Sequence, residues 1–205
     1  MATKFDELLG AFRSYLQMAG SVSPVGEFLG DIDWAMPART LEPKSLACLS
    51  QMGRLAEMVA PAERRAVELL ASCADVLHWG QTYTAADFGQ HFLDNYGWVE
   101  LFGTRGHYMN EKVAAGFLVL GPGIEYPDHH HVAEEVYIPL TGGTEWRMGD
   151  TPFRERRGGE VIHHASNMNH AMHTGSEPLL ALYLWRGGPL AAKSTVTGTV
   201  TDGRG

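Results

Sequence analysis

Basic blocks, long apolar runs and cysteine pairs are all missing from this sequence. Its formal net charge is −8 and no cluster of Lys and Arg interrupts it, which excludes the electrostatic footprint of a nucleic-acid binder. No run of 18 apolar residues occurs, so no membrane-spanning helix is expected. The opening residues, Met1-Ala-Thr-Lys-Phe, lack a basic stretch leading into an apolar core. A secretory leader is therefore not expected, and the expected compartment is the cytoplasm. Only two cysteines are present, Cys48 and Cys73, too few for a disulfide framework. Both fall in helical patterns and are expected as reduced core thiols rather than nucleophiles or ligands. No internal repeat is apparent. The acidic balance serves solubility and is compatible with a cationic substrate.

What is present changes character near residue 85. The 205 residues, 44% of them hydrophobic, suit one domain or one domain with a sizeable decoration. Before residue 85, Phe5, Leu8, Leu9, Phe12, Tyr15 and Leu16 recur at helical spacing. Gly20 and Pro24 end that helix. Leu46, Leu49, Met52, Leu55 and Met58 mark a second amphipathic segment over 43–59. Pro61, well tolerated in a first turn, opens a third over 62–77. From Gly97 onward short β-like runs take over, at 98–102, 113–120, 135–140, 144–148, 160–162 and 179–185. Gly121-Pro-Gly123, Gly142-Gly143 and Gly158-Gly159 separate them as turns. Many short strands between glycine turns predict a sandwich or barrel. The expected organisation is a helical segment over 1–90, packing on the barrel or a partner subunit, then a barrel over 91–188. A loose polar tail over 189–205 follows.

The chemistry concentrates in two glycine-led segments. Seven of the ten histidines fall between residues 129 and 173. In an extended strand, side chains two apart share a face. His129 and His131 then point one way, and Glu135 and Tyr137 have the same parity, with a turn near 132–134 allowed between them. Two imidazoles, a carboxylate and a phenol can thus converge, a donor set suited to Zn, Fe, Mn or Ni. The second segment, 159–173, ends a strand in histidines and offers a remaining ligand through His170. His163 and His173 flank it as rim or ligand-orienting residues. His164 is expected to face solvent, and Glu134, opposite in parity to Glu135, to be solvated or paired with a surface cation.

The first segment matches the cupin pattern G-x5-H-x-H-x3-E-x6-G in full, through Gly123, His129, His131, Glu135 and Gly142. The second matches G-x5-P-x-G-x2-H-x3-N in part. Gly159 and His170 are in place, while Ala165, Asn167 and Thr174 replace Pro, Gly and Asn; Asn167 is tolerable because Asn visits the left-handed region. Within cupins the sequence resembles the bacterial dimethylsulfoniopropionate (DMSP) lyases, most like the Q type and also similar to the L type. The resemblance rests on Tyr126-x2-His129-x-His131-x3-Glu135-x-Tyr137, then His170 and Trp185. It is dense over 120–187 and only architectural before residue 95. It implies a mainly β cupin (double-stranded β-helix, jelly-roll) barrel with an N-terminal helical segment, and a possible homodimer. It also implies one divalent transition metal ion (Zn, Fe(II) or Mn) on His131, Glu135, Tyr137 and His170, with Tyr126, His129 and Trp185 lining the substrate pocket.

That family's reaction is a β-elimination giving acrylate and dimethyl sulfide. Its base should titrate near working pH, whereas a free tyrosine titrates at about 10. A cation nearby lowers that value, so Tyr137 is one expected base and His129 the other. The sulfonium end calls for an aromatic wall, for which Trp185, Tyr126, Tyr183 and Trp146 are available. Two other functions fit the same ligands: a metal-dependent cupin dioxygenase acting on a small carboxylic acid, and a non-catalytic cupin binding a small ligand.

Overall fold

The computed structural model describes residues 3–21 and 24–198. Helices α1 (Lys4–Ala19), α2 (Val25–Asp31), α3 (Met52–Met58) and α4 (Pro61–Cys73) precede strand β1 (Trp79–Gly80), and α5 (Ala85–Asp94) follows it. Then come β2 (Tyr96–Gly103), β3 (Tyr108–Met109), β4 (Val113–Leu120), β5 (Glu125–His130), β6 (Glu134–Pro139) and β7 (Thr144–Met148). Strands β8 (Arg154–Arg156), β9 (Ile162–His164), β10 (His170–Thr174), β11 (Leu179–Arg186) and β12 (Thr195–Val196) complete the order. No helix among the described residues is long and apolar enough to cross a membrane.

Local chemistry accounts for the helices. Thr3 caps α1, accepting from the Asp6 amide while Asp6 returns the bond to the Thr3 amide, a reciprocal box that satisfies two orphan donors. Pro61 starts α4 as expected. The second expected helix is shorter than 43–59. Lys44 is instead held by backbone bonds to Leu77 and Trp79, so helical structure begins only with a 3-10 turn at Ala47–Gln51. Helices α2 and α5 were not expected.

The strands form two sheets. One runs β1-β2-β4-β11-β6-β9, with β3 beside β2; the other runs β12-β5-β10-β7-β8. Alternation along the first sheet divides the interior in two. Val99, Phe117, Val119, Val136, Ile138, Leu180, Leu182 and Leu184 meet the helices, joining Leu8, Phe12, Leu16, Leu55 and Leu70 in one core. Tyr96, Leu118, Tyr137, Ala181 and Tyr183 point the other way and meet Tyr126, Trp146 and Met172 of the second sheet. The strands of this first sheet read as continuous apolar runs because both faces are covered. This is the cupin fold expected from the sequence, realised as two facing sheets behind a helical layer. Gly116 permits the close approach of β2 and β4: a Cβ there would lie 1.8 Å from the Val99 carbonyl oxygen.

The expected loose tail is not loose over 189–198. Thr195 and Val196 pair with His130 and His129, the amides of Thr197 and Gly198 donate to the Asp128 carbonyl, and Lys193 reaches Asp87 at 2.8 Å. The edge of β5 needed a partner, and this segment supplies it. Residues 199–205 lie outside the described residues. Cys48 and Cys73 are buried and unpaired, and burial pushes the Cys48 thiol up to about 12, which suits a core side chain and not a nucleophile.

Candidate metal centre and pocket

Strand β6 carries Glu135 and Tyr137 on the face turned toward the second sheet. Pairing sets Trp185 of β11 and His164 of β9 on either side of Glu135, and Tyr183 beside Tyr137. His170, first residue of β10, sits opposite His129 of β5. His131 lies just beyond β5, in the connection to β6, where its carbonyl accepts from the Asn167 amide. Asn167 has φ 60, so it fills the left-handed position as expected. Thr174 holds the neighbouring turn, donating from Oγ1 to the Gly121 carbonyl and accepting from the Ile124 amide, both at 2.7 Å.

His131, Glu135 and His170 come together, with one donor atom from each lying within 4.8 Å of the others. All three are buried. His131 Nδ1 is 2.7 Å from the Ala133 carbonyl and His170 Nδ1 is 2.9 Å from that of Met168. A carbonyl only accepts, so each Nδ1 carries the proton and each neutral ring turns a bare Nε2 lone pair inward. Those Nε2 atoms lie 3.0 and 3.2 Å from Glu135 Oε2. Lone pairs facing a carboxylate oxygen repel unless positive charge lies between them. A proton on His131 supplies part of it: burial opposes that charge, but Glu135 prevails and raises the His131 pKa. Burial likewise opposes ionisation of Glu135, yet His131 beside it holds the carboxyl well below its usual range. His170 Nε2 has no hydrogen-bond partner. A divalent cation would satisfy both imidazoles and the carboxylate at once, so the residues present fit a metal.

The remaining expected residues surround this group. Tyr137 is buried, with its ring 6.4 Å from that of His170; burial, then the adjacent Glu135, push its phenol well above the ordinary value. His129 stacks on Tyr126 at 4.1 Å and 8°. A register shift between β10 and β5 lets these two, three residues apart, face one side. His129 Nδ1 is 2.8 Å from the Pro127 carbonyl, and burial, then the neighbouring His170, hold its pKa well below normal. It therefore keeps a neutral ring with a bare Nε2. Trp185 does more than line the pocket. Its ring lies 4.0 Å from that of His131, and its Nε1 donates to Glu135 Oε1 at 2.5 Å. A Trp185→Phe substitution keeps the ring and removes the donor; metal affinity should fall about 10–100-fold, as when other outer partners of a ligand are lost. Competition against a chromophoric chelator measures this.

The pocket is a cleft bounded by Glu135, Tyr137, Tyr126, Trp185, Tyr183, Trp98, Arg105 and Ser194 among others. Arg105 lies over the Trp98 ring at 4.5 Å and pairs with buried Glu100 at 3.2 Å. Neither Arg105 nor Ser194 carried a sequence signal. Glu134 pairs with Arg186 at 2.8 Å and with His163 at 2.6 Å, and His173 is exposed beside Glu145. His164 contradicts the expectation of a solvent-facing ring: it is fully buried and stacks on His170 at 4.0 Å and 12°. The expected strand over 160–162 actually begins at Ile162, and His164 shares the inward face of Ile162.

The sequence matches a family model described as dimethylsulfoniopropionate lyase over residues 39–181. It is 36% identical over 112 residues to dimethylsulfoniopropionate lyase DddQ of Ruegeria pomeroyi, covering 55% of this chain and 56% of that protein. It is 28% identical over 151 residues to putative dimethylsulfoniopropionate lyase DddL of Cereibacter sphaeroides, covering 71% and 61%. The matched stretch is thus under two thirds of either relative's length. The crystal structure of DMSP lyase DddQ from Ruegeria pomeroyi superposes with a TM-score of 0.84 at 26% identity, over 95% of this chain and 96% of that one. A chain from the crystal structures of DMSP lyases RdDddP and RnDddQII superposes with a TM-score of 0.85 at 25% identity, over 95% and 97%.

Proposed function

Since the chain belongs to the dimethylsulfoniopropionate lyase family, we propose that it cleaves DMSP to acrylate and dimethyl sulfide at the pocket beside Glu135. The observation that carries this reading is the pair of imidazole Nε2 atoms held 3.0 and 3.2 Å from Glu135 Oε2, with Tyr137 on the same wall of the cleft. His131, Glu135 and His170 would hold a divalent ion, Zn, Fe(II) or Mn by donor type, and Tyr137 would join them. When bound, the ion supplies Lewis acidity, lowering the pKa of a nearby phenol and offsetting charge that develops on the substrate carboxylate.

The chain's own residues then divide the work. Tyr137 Oη, as phenolate, takes the α-proton. The C–H electron pair becomes the Cα–Cβ π bond, the Cβ–S bond breaks, and its pair leaves on sulfur as neutral dimethyl sulfide. His129 is the weaker candidate base, because burial keeps its ring neutral by lowering its proton affinity. Tyr126 and Trp185 offer ring faces to the sulfonium, a contact of about 0.5–2 kcal/mol. Tyr83 Oη lies 3.0 Å from Tyr126 Oη and fixes that ring's hydroxyl.

Headspace detection of dimethyl sulfide from purified protein and DMSP tests the proposal. Release should stop on chelation and return with added Zn(II), Fe(II) or Mn(II). No release with any of the three metals would remove the substrate assignment and leave oxygen uptake on small carboxylic acids as the next measurement.

A further inference from the structure

His164 plays no part in the mechanism above, yet it is the histidine least accounted for. It is fully buried, and neither of its ring nitrogens has a hydrogen-bond partner. His129, His131 and His170 each lock their tautomer through a backbone carbonyl; His164 has no such lock. A neutral imidazole must carry one N–H, and leaving a buried donor unsatisfied is destabilising. The nearest charged acceptor is Glu135 Oε2, 3.7 Å from His164 Nδ1, just beyond hydrogen-bond length. Register reinforces the pairing, since His164 and Glu135 are directly opposite on β9 and β6. The ring is also pinned flat against His170. His164 is not part of the mutually close group formed by His131, Glu135 and His170, and its Nδ1 approaches that group through Glu135 Oε2.

We propose that His164 is a positioning residue for the metal centre, donating Nδ1–H to Glu135 Oε2 and bracing His170 by stacking. It complements Trp185, which holds the other carboxylate oxygen, Oε1. Glu135 is thereby gripped from both neighbouring strands, with its rotamer set before any ion arrives. Ligand carboxylates fixed by outer partners bind metal more tightly than free ones. This inference rests on the metal reading given under Proposed function.

The test is metal binding by the full chain, independent of turnover. His164→Phe keeps a flat ring on His170 and removes both nitrogens; His164→Asn keeps a donor near the Nδ1 position. Zn(II) affinity, by competition with a chromophoric chelator, should fall about 10–100-fold in His164→Phe and be partly restored in His164→Asn, which returns the donor without the stacked ring. The visible spectrum of the Co(II)-loaded His164→Phe protein should match the parent's, because no ligand is lost. Parent-like Zn(II) affinity in His164→Phe would overturn the proposal. A changed cobalt spectrum would overturn it too, by making His164 a direct ligand. Should His164→Phe fail to fold by circular dichroism, His164→Leu replaces it, and equal affinities of His164→Leu and His164→Asn would sink the assignment. A parent that binds no divalent ion removes the metal reading and this inference together; a parent that binds while His164→Phe binds equally well removes this inference alone.

Discussion

Turnover of DMSP should fall about 10²–10⁴-fold on replacing Tyr137 with phenylalanine, the range for losing a positioned general base. The fold should survive, since the ring remains in the core between the sheets, 5.1 Å from the Trp146 ring. The metal should remain as well, held by His131, Glu135 and His170. Without a cation, burial and Glu135 keep the phenol protonated far above neutral pH, so the proposed base requires the ion. Single-turnover kinetics alongside metal analysis makes the check. A Tyr137→Phe protein that kept its metal and near-full turnover would pass the proton to His129, whose bare Nε2 looks into the same group of rings.

Glu135→Gln should have the larger effect on metal. One of its oxygens faces the imidazoles of His131 and His170 and the other accepts from Trp185, so the amide loses the charge at the centre and presents N–H groups to lone pairs. Affinity should drop more than about 100-fold, beyond the effect of losing an outer partner, and turnover should disappear with it. The metal-free protein offers a second reading. His131 is raised above its ordinary 6.5, so its contribution to stability is full below that value and is lost as pH rises through the raised one. Glu135 is depressed below its ordinary 4.5, so its contribution is full above that value and is lost as pH falls through the depressed one. This pair therefore favours the metal-free parent most between about pH 4.5 and 6.5. Glu135→Gln should flatten that maximum in thermal denaturation followed across pH. Metal ions compete with the same proton on His131, so affinity should weaken as pH falls.

Much of this site was visible as spacing. Glu135 and Tyr137 occupy one face because β6 is regular there, and parity is reliable on a regular strand. Parity fails where regularity fails. His131 is past the end of β5, so its approach to Glu135 depends on the connecting turn. Tyr126 and His129 have opposite parity and come to stack face to face only through the register shift between β5 and β10. His164 turns inward because its strand starts at Ile162, where the sequence pattern predicts an end. The strand at 113–120 was easy to find but mute about direction, being apolar on both faces. Helix α5 did carry a signal, the Thr84–Asp87 capping box, hidden by a kink at Gly89. The pairing of Thr195 and Val196 could not be read at all: two residues have no periodicity, and what fixes them is the open edge of β5.

The helical layer bears on how this protein can be cut or recombined. Val99, Phe117, Leu180, Leu182 and Leu184 face the helices from the sheet that also carries Glu135 and Trp185. A fragment beginning at residue 91 would keep every proposed ligand and expose that greasy sheet surface to water, inviting self-association. Arg186 adds a polar tether, reaching Glu27 and Asp31 of α2 while holding Glu134 next to Glu135. Chimeras that exchange the strands of the proposed metal site between relatives should therefore carry their own helices along, with the seam placed outside both.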